Sequence, residues 1–292
     1  MSPTFLSGAI PALVTPMSAP GRVDPAAAAS LAEAAAGQGA SAVLVAGTTG
    51  EGSLISSQDR VALTAAVRAT GVPVIAGASG PTLAALHADV ARLAEAGAQA
   101  VLVLVPAFLP LTPEELVDGH LAVAERAPVP TIVYHIPQFT GSWLTPEAVS
   151  SLAGRPGIGG LKDSSPAAEL RAALVQAAGP SLAVVVGHAP TLSQALRAGA
   201  AGSITAMGNL RLRQILALHA AVAQDPDDAA ARQLQASLSA CEAALAAVPG
   251  CMPAALKAAM QLAGTVPERY CAPPLRSVEG RHLDAVRTAL LR

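Results

Sequence analysis

The sequence predicts an α/β protein, a closed (β/α)8 TIM barrel followed by an all-helical C-terminal extension. Three observations predict it. Short apolar runs alternate with alanine-rich segments up to about residue 210, and the runs are continuously apolar, as expected of parallel strands buried on both faces. The units recur at roughly 25–30 residues, the length of a βα repeat, and eight of them suit a closed barrel. After about Arg211 the strand signals stop and helical segments follow at roughly 211–223, 226–247, 253–263 and 280–291. The domains are therefore drawn as a catalytic barrel over 1–210 and a helical extension over 211–292. The competing architecture is an open doubly wound sheet, but eight consecutive units with no edge-type strand favour closure.

Each element has a local reason. Gly8–Pro16 reads as the first strand, and Asp24-Pro25 opens a helix to Gly37, with Asp24 as cap and Pro25 at the first helical position. Ser41–Ala46 is a strand, and Ser57–Ala69 a helix capped by Ser57 with Arg60 in its first turn. Pro73–Gly77 is a strand, Thr82–Ala96 a helix ended by Gly97, and Ala100–Val105 a strand. Thr112-Pro113-Glu-Glu115 starts the next helix, with acids on the positive end of its dipole. Thr131–Ile136 and Gly159–Lys162 are strands flanking a helix begun by Thr145-Pro146-Glu147. A helix over Pro166–Ala178, a strand over Leu182–Val186, a helix over Thr191–Ala198 and a strand over Gly202–Ala206 complete the set.

Composition narrows the function. The 292 residues are 52% apolar but only 2% aromatic, so the core is built from Ala, Leu and Val. A net charge of −2 without a basic stripe argues against nucleic acid. The apolar runs are broken well short of the about 18–20 residues a membrane span needs, and the N-terminus lacks a secretory pattern. Cys241, Cys251 and Cys271 are widely spaced and odd in number, so they read as buried fillers in a reducing, cytoplasmic compartment.

There are sixteen arginines and two lysines, Lys162 and Lys257. Lys162 ends an apolar strand, which gains nothing structurally from an ammonium group. The bland alternative is an ion pair with Asp163. In a barrel the working face lies at the C-terminal ends of the strands. Those ends read Thr15, Gly47-Thr-Thr-Gly-Glu51, Ser79, Pro106-Ala-Phe108, Tyr134-His135, Lys162, Gly187-His188 and Thr205-Ala206. Metal-ligand spacing and a phosphate-binding Walker loop are both missing, so neither metal nor cofactor is implied. Apolar walls favour the neutral form of an amine, which attacks a ketone to form a Schiff base. A phenol at Tyr134, one strand away, can carry the proton. The Gly47–Gly50 turn offers amides and hydroxyls to the carboxylate of a 2-oxo acid. Four of the six aromatics (Phe108, Tyr134, Phe139, Trp143) fall near this mouth, Trp143 reading as packing.

Gly47-Thr-Thr-Gly-Glu51, Tyr134-His-Ile-Pro137 with Thr140-Gly141, and Gly160-Leu-Lys162-Asp-Ser-Ser165 resemble the three signatures of the dihydrodipicolinate synthase / N-acetylneuraminate lyase family, in order, spacing and strand placement. The resemblance covers nearly the whole chain. It implies a class I aldolase that binds pyruvate or another 2-oxo acid on lysine, acts on an aldehyde partner and assembles as a homo-oligomer, a tetramer or dimer. By resemblance Lys162 forms the imine, Tyr134 relays the proton with Thr48, and Thr49 contributes to carboxylate binding. Gly47, Gly187 and Ile204 line the site.

Two positions depart from the synthases. Phe108 stands where they carry a second tyrosine directed into a neighbouring subunit's site. Phe139 stands where they carry an arginine that holds the second substrate's carboxylate, and a phenyl ring offers no bidentate partner. Aspartate semialdehyde is therefore a poor candidate. Met252-Pro-Ala-Ala-Leu-Lys257 and Cys271-Ala-Pro-Pro-Leu275 look nearer to the 2-oxo-acid aldolase branch, with Lys257 read as a helix-surface charge. The readings carried forward are a pyruvate-type aldolase, a true dihydrodipicolinate synthase or sugar-acid dehydratase on the same chemistry, and a 2-oxo-acid-binding protein with little turnover.

Overall fold

The structure is a computed structural model, which describes residues 3–106, 108–225 and 229–290. Ala107, the start of the helix expected over 226–247 and the last residue of that over 280–291 lie outside the described residues. Eight strands form the barrel: β1 Gly8–Pro11, β2 Val43–Val45, β3 Val74–Ser79, β4 Ala100–Leu104, β5 Thr131–His135, β6 Ile158–Asp163, β7 Val184–Val186 and β8 Gly202–Thr205. All pairings in this sheet are parallel, in the order β1-β8-β7-β6-β5-β4-β3-β2. A parallel bridge between Ala12 and Leu44 closes the ring, and the Leu13 amide donates to the Leu44 carbonyl at 2.9 Å.

Two apolar layers hold the strands. Ile10, Leu44, Ile75, Leu102, Ile132 and Ile204 point inward and fill the barrel. Outward residues such as Val43, Val101, Val133 and Leu161 pack against the helices. A 3-10 turn at Thr4–Leu6 places Leu6 at the base. Gly160 is small because a Cβ there would stand 2.8 Å from the Leu6 Cδ1. Strand alternation has one consequence for the site: Tyr134 belongs to the inner layer, whereas its neighbour Val133 faces the helices.

The helix starts follow their caps. Asp24 accepts from the Ala27 amide ahead of Pro25–Gly37, and Thr112 and Glu115 form a reciprocal capping box ahead of Pro113–Arg126. The helix Ser57–Ala69 is capped one residue earlier than its sequence suggested. Ser56 forms the capping box with Asp59, and Ser57 Oγ donates to Asp89 at 2.6 Å instead. The first strand is also shorter than expected. The regular strand stops at Pro11, the chain leaves the sheet after Leu13, and Met17–Ala19 pairs antiparallel with Arg22–Val23 in a hairpin. Pro20-Gly21 was its turn signal, with Gly21 at φ +72°. The helix expected from Pro166 begins at Ala168.

After β8 the helix Gly208–Gln224 carries one non-helical residue, Arg211. Helices Ala229–Ala246, Met252–Leu262 and Arg281–Leu290 follow. Among the described residues no helix is long and apolar enough to cross a membrane.

Candidate active site

β5 and β6 run side by side, with Tyr134 opposite Lys162 and His135 opposite Asp163. Alternation turns Tyr134 and Lys162 toward the barrel axis and His135 and Asp163 toward the helices. The Lys162 amine lies over the Tyr134 ring, 4.4 Å from its centroid. Lys162 is 4% exposed, and among the described residues no hydrogen bond or ion pair holds its amine. The Tyr134 hydroxyl lies 3.0 Å from the Thr48 hydroxyl, where either can donate. A lysine, a phenol and a threonine hydroxyl therefore stand in series at the mouth.

Asp163 does not pair with Lys162. Its Oδ1 lies 2.7 Å from His135 Nδ1 and its Oδ2 2.6 Å from Arg171 Nε, and Ser165 donates through both its amide and its hydroxyl. Burial raises the Asp163 carboxyl, but the His135 hydrogen bond and the Arg171 charge outweigh it, and the carboxyl ends below its ordinary range. His135 Nε2 accepts from the Leu144 amide at 3.2 Å, so its Nδ1 carries the proton and donates to Asp163. This network lies behind the mouth and leaves Lys162 unpaired in front.

The Gly47–Glu51 turn packs closely enough to require glycine. A Cβ on Gly52 would stand 1.8 Å from the Ala46 carbonyl oxygen, and one on Gly50 would stand 3.0 Å from the Ala46 nitrogen. Thr15 Oγ1 donates to the Gly50 carbonyl at 2.6 Å. Among the described residues no hydrogen bond uses the Thr48 or Thr49 amide. Beside the turn lies a small cleft of about 60 Å³, lined by Gly47, Thr48, Ser53, Gly77, Ser79 and Tyr134. Across the mouth a Cβ on Gly187 would approach the Lys162 Cε to 2.8 Å, so glycine there leaves room for the lysine stem. Ile204 is buried in the same inner layer as Tyr134. Phe108 is fully exposed and Phe139 is 72% exposed; neither lines the cleft.

Two further groups emerge only from the fold. Lys257 is not a surface charge: it is 1% exposed, and its ammonium lies 2.5 Å from Glu51 Oε1. Arg60 is also buried and donates to the Gly52 carbonyl at 2.8 Å while pairing with Asp89. The only hint of the first pair was that both lysines of the chain sit in apolar segments. The thiol of Cys271 is pushed up to about 11, by burial and by the Glu51 charge beside it.

His120 lies behind Tyr134 and His135 with its Nδ1 unpartnered. Burial, aided by His135, lowers its pKa from 6.5 to about 3. The unfolded chain therefore takes up this proton well before the folded chain does. The associated stability is whole above pH 6.5 and is lost as pH falls toward 3, amounting to about 2 kcal/mol by pH 5. The urea midpoint is expected to fall between pH 7.5 and pH 5, with His219, lowered by burial to about 4, adding to the fall and Glu242, raised by burial to about 7, opposing it, and His120→Phe to reduce the slope of that interval. An unchanged slope in the variant assigns the loss to other groups.

The fold and this mouth define a (β/α)8 lyase of the class I aldolase type. The chain matches the dihydrodipicolinate synthetase family over residues 5–292. It is 37% identical over 207 residues to a 4-hydroxy-tetrahydrodipicolinate synthase of Xanthomonas axonopodis pv. citri, covering 70% of this chain and 68% of that one. The solved dihydrodipicolinate synthase of Acinetobacter baumannii in complex with pyruvate superposes with a TM-score of 0.90 at 27% identity, over 98% of both chains. A sialic acid aldolase of Ruminococcus gnavus shares the fold with a TM-score of 0.89 at 22% identity, over 98% of this chain and 96% of that one. The chain belongs to the dihydrodipicolinate synthetase family.

Proposed function

We propose that Lys162 forms a Schiff base with pyruvate or a related 2-oxo acid, and that the enzyme makes or cleaves the carbon–carbon bond to an aldehyde. The observation that carries this reading is the unpaired Lys162 amine over Tyr134, whose hydroxyl meets Thr48. The neutral amine adds to the keto carbon, water leaves, and an iminium remains. Loss of a C3 proton gives an enamine, whose carbon attacks the aldehyde; cleavage is the reverse. The Tyr134–Thr48 pair carries the proton. The Thr48 and Thr49 amides and the Thr49 hydroxyl receive the carboxylate, Gly47, Gly187 and Ile204 shape the pocket, and no metal or cofactor takes part. The pyruvate complex of the Acinetobacter relative supports this assignment.

The second substrate is an aldehyde of low polarity. Phe139 and Phe108 stand where the synthases carry a guanidinium and a phenol, and a phenyl ring offers a carboxylate neither a bidentate partner nor a hydroxyl. The second reading is a true 4-hydroxy-tetrahydrodipicolinate synthase, favoured by the name of the Xanthomonas relative. An aldehyde panel with pyruvate separates the two. Neutral aldehydes are expected to be turned over and aspartate semialdehyde to react weakly, with Phe139→Arg improving carboxylate-bearing partners. Efficient wild-type condensation with aspartate semialdehyde, at a KM within the ordinary range of about 1 μM to 1 mM, sinks the first reading. No turnover with any aldehyde would favour a binding protein.

Phe108, Leu109 and Phe139 are exposed apolar side chains beyond the ends of β4 and β5, which supports a homo-oligomer. A catalytic unit over 1–210 with a helical extension over 211–292 is supported by the end of β8 at Thr205 and the kink at Arg211. The three free cysteines fit a cytoplasmic enzyme.

A further inference from the structure

We propose that Lys257 is a positioning residue for the 2-oxo-acid site: its buried ion pair with Glu51 holds the turn that presents Thr48 and Thr49. This rests on the Schiff-base reading above. Glu51 is 2% exposed and adopts φ +57°, a left-handed conformation that a non-glycine residue keeps only when its surroundings impose it. Ala46, just before the turn, is left-handed as well at φ +52°. Both carboxylate oxygens of Glu51 are engaged by the C-terminal part of the chain. Oε1 lies 2.5 Å from Lys257 Nζ, and Oε2 accepts from the Ala272 amide at 2.6 Å. Lys257 in turn donates to the Tyr270 carbonyl at 2.7 Å.

The same residue closes the turn from within. The Glu51 amide donates to the Thr48 carbonyl at 3.1 Å, and the Gly52 amide to the Gly47 carbonyl at 3.0 Å. A shift of Glu51 is therefore transmitted directly to Thr48. Arg60 on Gly52 and Thr15 on Gly50 tie the turn to the barrel. The Lys257 pair ties it to the helix Met252–Leu262. Removing the cation leaves a buried carboxylate that must find water or move, and moving it moves the turn.

The test measures borohydride trapping of pyruvate on Lys162 against pyruvate concentration, in the wild type, Lys257→Met, Glu51→Gln and Glu51→Gln/Lys257→Met. Lys257→Met is expected to raise the half-saturating pyruvate concentration by about tenfold or more, with the trapping rate at saturation within about threefold of wild type. The double variant removes both charges and is expected to regain thermal stability but to keep the raised half-saturation. A purely structural role predicts that stability and half-saturation recover together. If Lys257→Met does not fold, Glu51→Gln, which keeps an oxygen for Ala272, carries the same test. Wild-type half-saturation in the folded variants overturns the positioning role while leaving the Schiff-base reading intact. Absence of trapping in the wild type overturns that reading itself.

Discussion

Lys162→Arg is expected to lose all borohydride-dependent labelling by pyruvate and all turnover, while the barrel still folds. The substitution keeps a long basic side chain but removes the nucleophile, because a guanidinium does not lose its proton near neutrality. The fold is expected to survive because the Lys162 amine has no hydrogen-bond partner to abandon among the described residues; its contact is the face of Tyr134 at 4.4 Å. Peptide mass mapping after reduction checks the assignment. In the wild type the added mass should sit on the peptide containing Lys162. Labelling at Lys257 would sink the mechanism, and the structure gives a reason to expect none there: that amine is buried against Glu51.

Tyr134→Phe is expected to lower kcat by about 10²–10⁴-fold, the usual contribution of a positioned proton carrier. That range corresponds to about 3–5 kcal/mol of transition-state stabilisation. The cost to folding should be far smaller, about 1 kcal/mol, since one hydrogen bond to a partly exposed threonine is lost and the ring stays in place. Imine trapping should persist but run slower, because the lysine and the carboxylate turn are untouched. Steady-state kinetics beside a thermal melt separates the two effects. A kcat equal to wild type would reassign Tyr134 to packing against Lys162.

Much of this fold was legible because its determinants are local. Asp24-Pro25, Thr112-Pro113 and Thr145-Pro146 each satisfy orphan amides within three residues, so helix starts could be read from adjacent positions. The departures have local causes too. Ser56 and Ser57 compete for one cap, and Asp59 decides between them by completing the box with Ser56. The hairpin after β1 leaves only its Pro20-Gly21 turn in the sequence, because Met17–Ala19 and Arg22–Val23 are too short to show a period of two.

The candidate site divides the same way. The eightfold alternation, the placement of Tyr134 and Lys162 at adjacent strand ends, and the Gly-Thr-Thr-Gly turn at the same mouth are all readable from the chain. These follow from periodicity and from the rule that parallel strands present their C-terminal ends together. Which charges meet depends on how the folded elements pack. Asp163, next to Lys162 in the chain, turns to the opposite face because strand residues alternate, and the helix beginning at Ala168 brings Arg171 to it. Lys257 looked like a surface charge on an alanine-rich helix, yet it is buried against Glu51, whose second oxygen is met by an amide 221 positions later. Such a pairing has no local signature. It exists because closing the barrel brings the C-terminal helices over the turn after β2, where a buried carboxylate must find a cation and a donor.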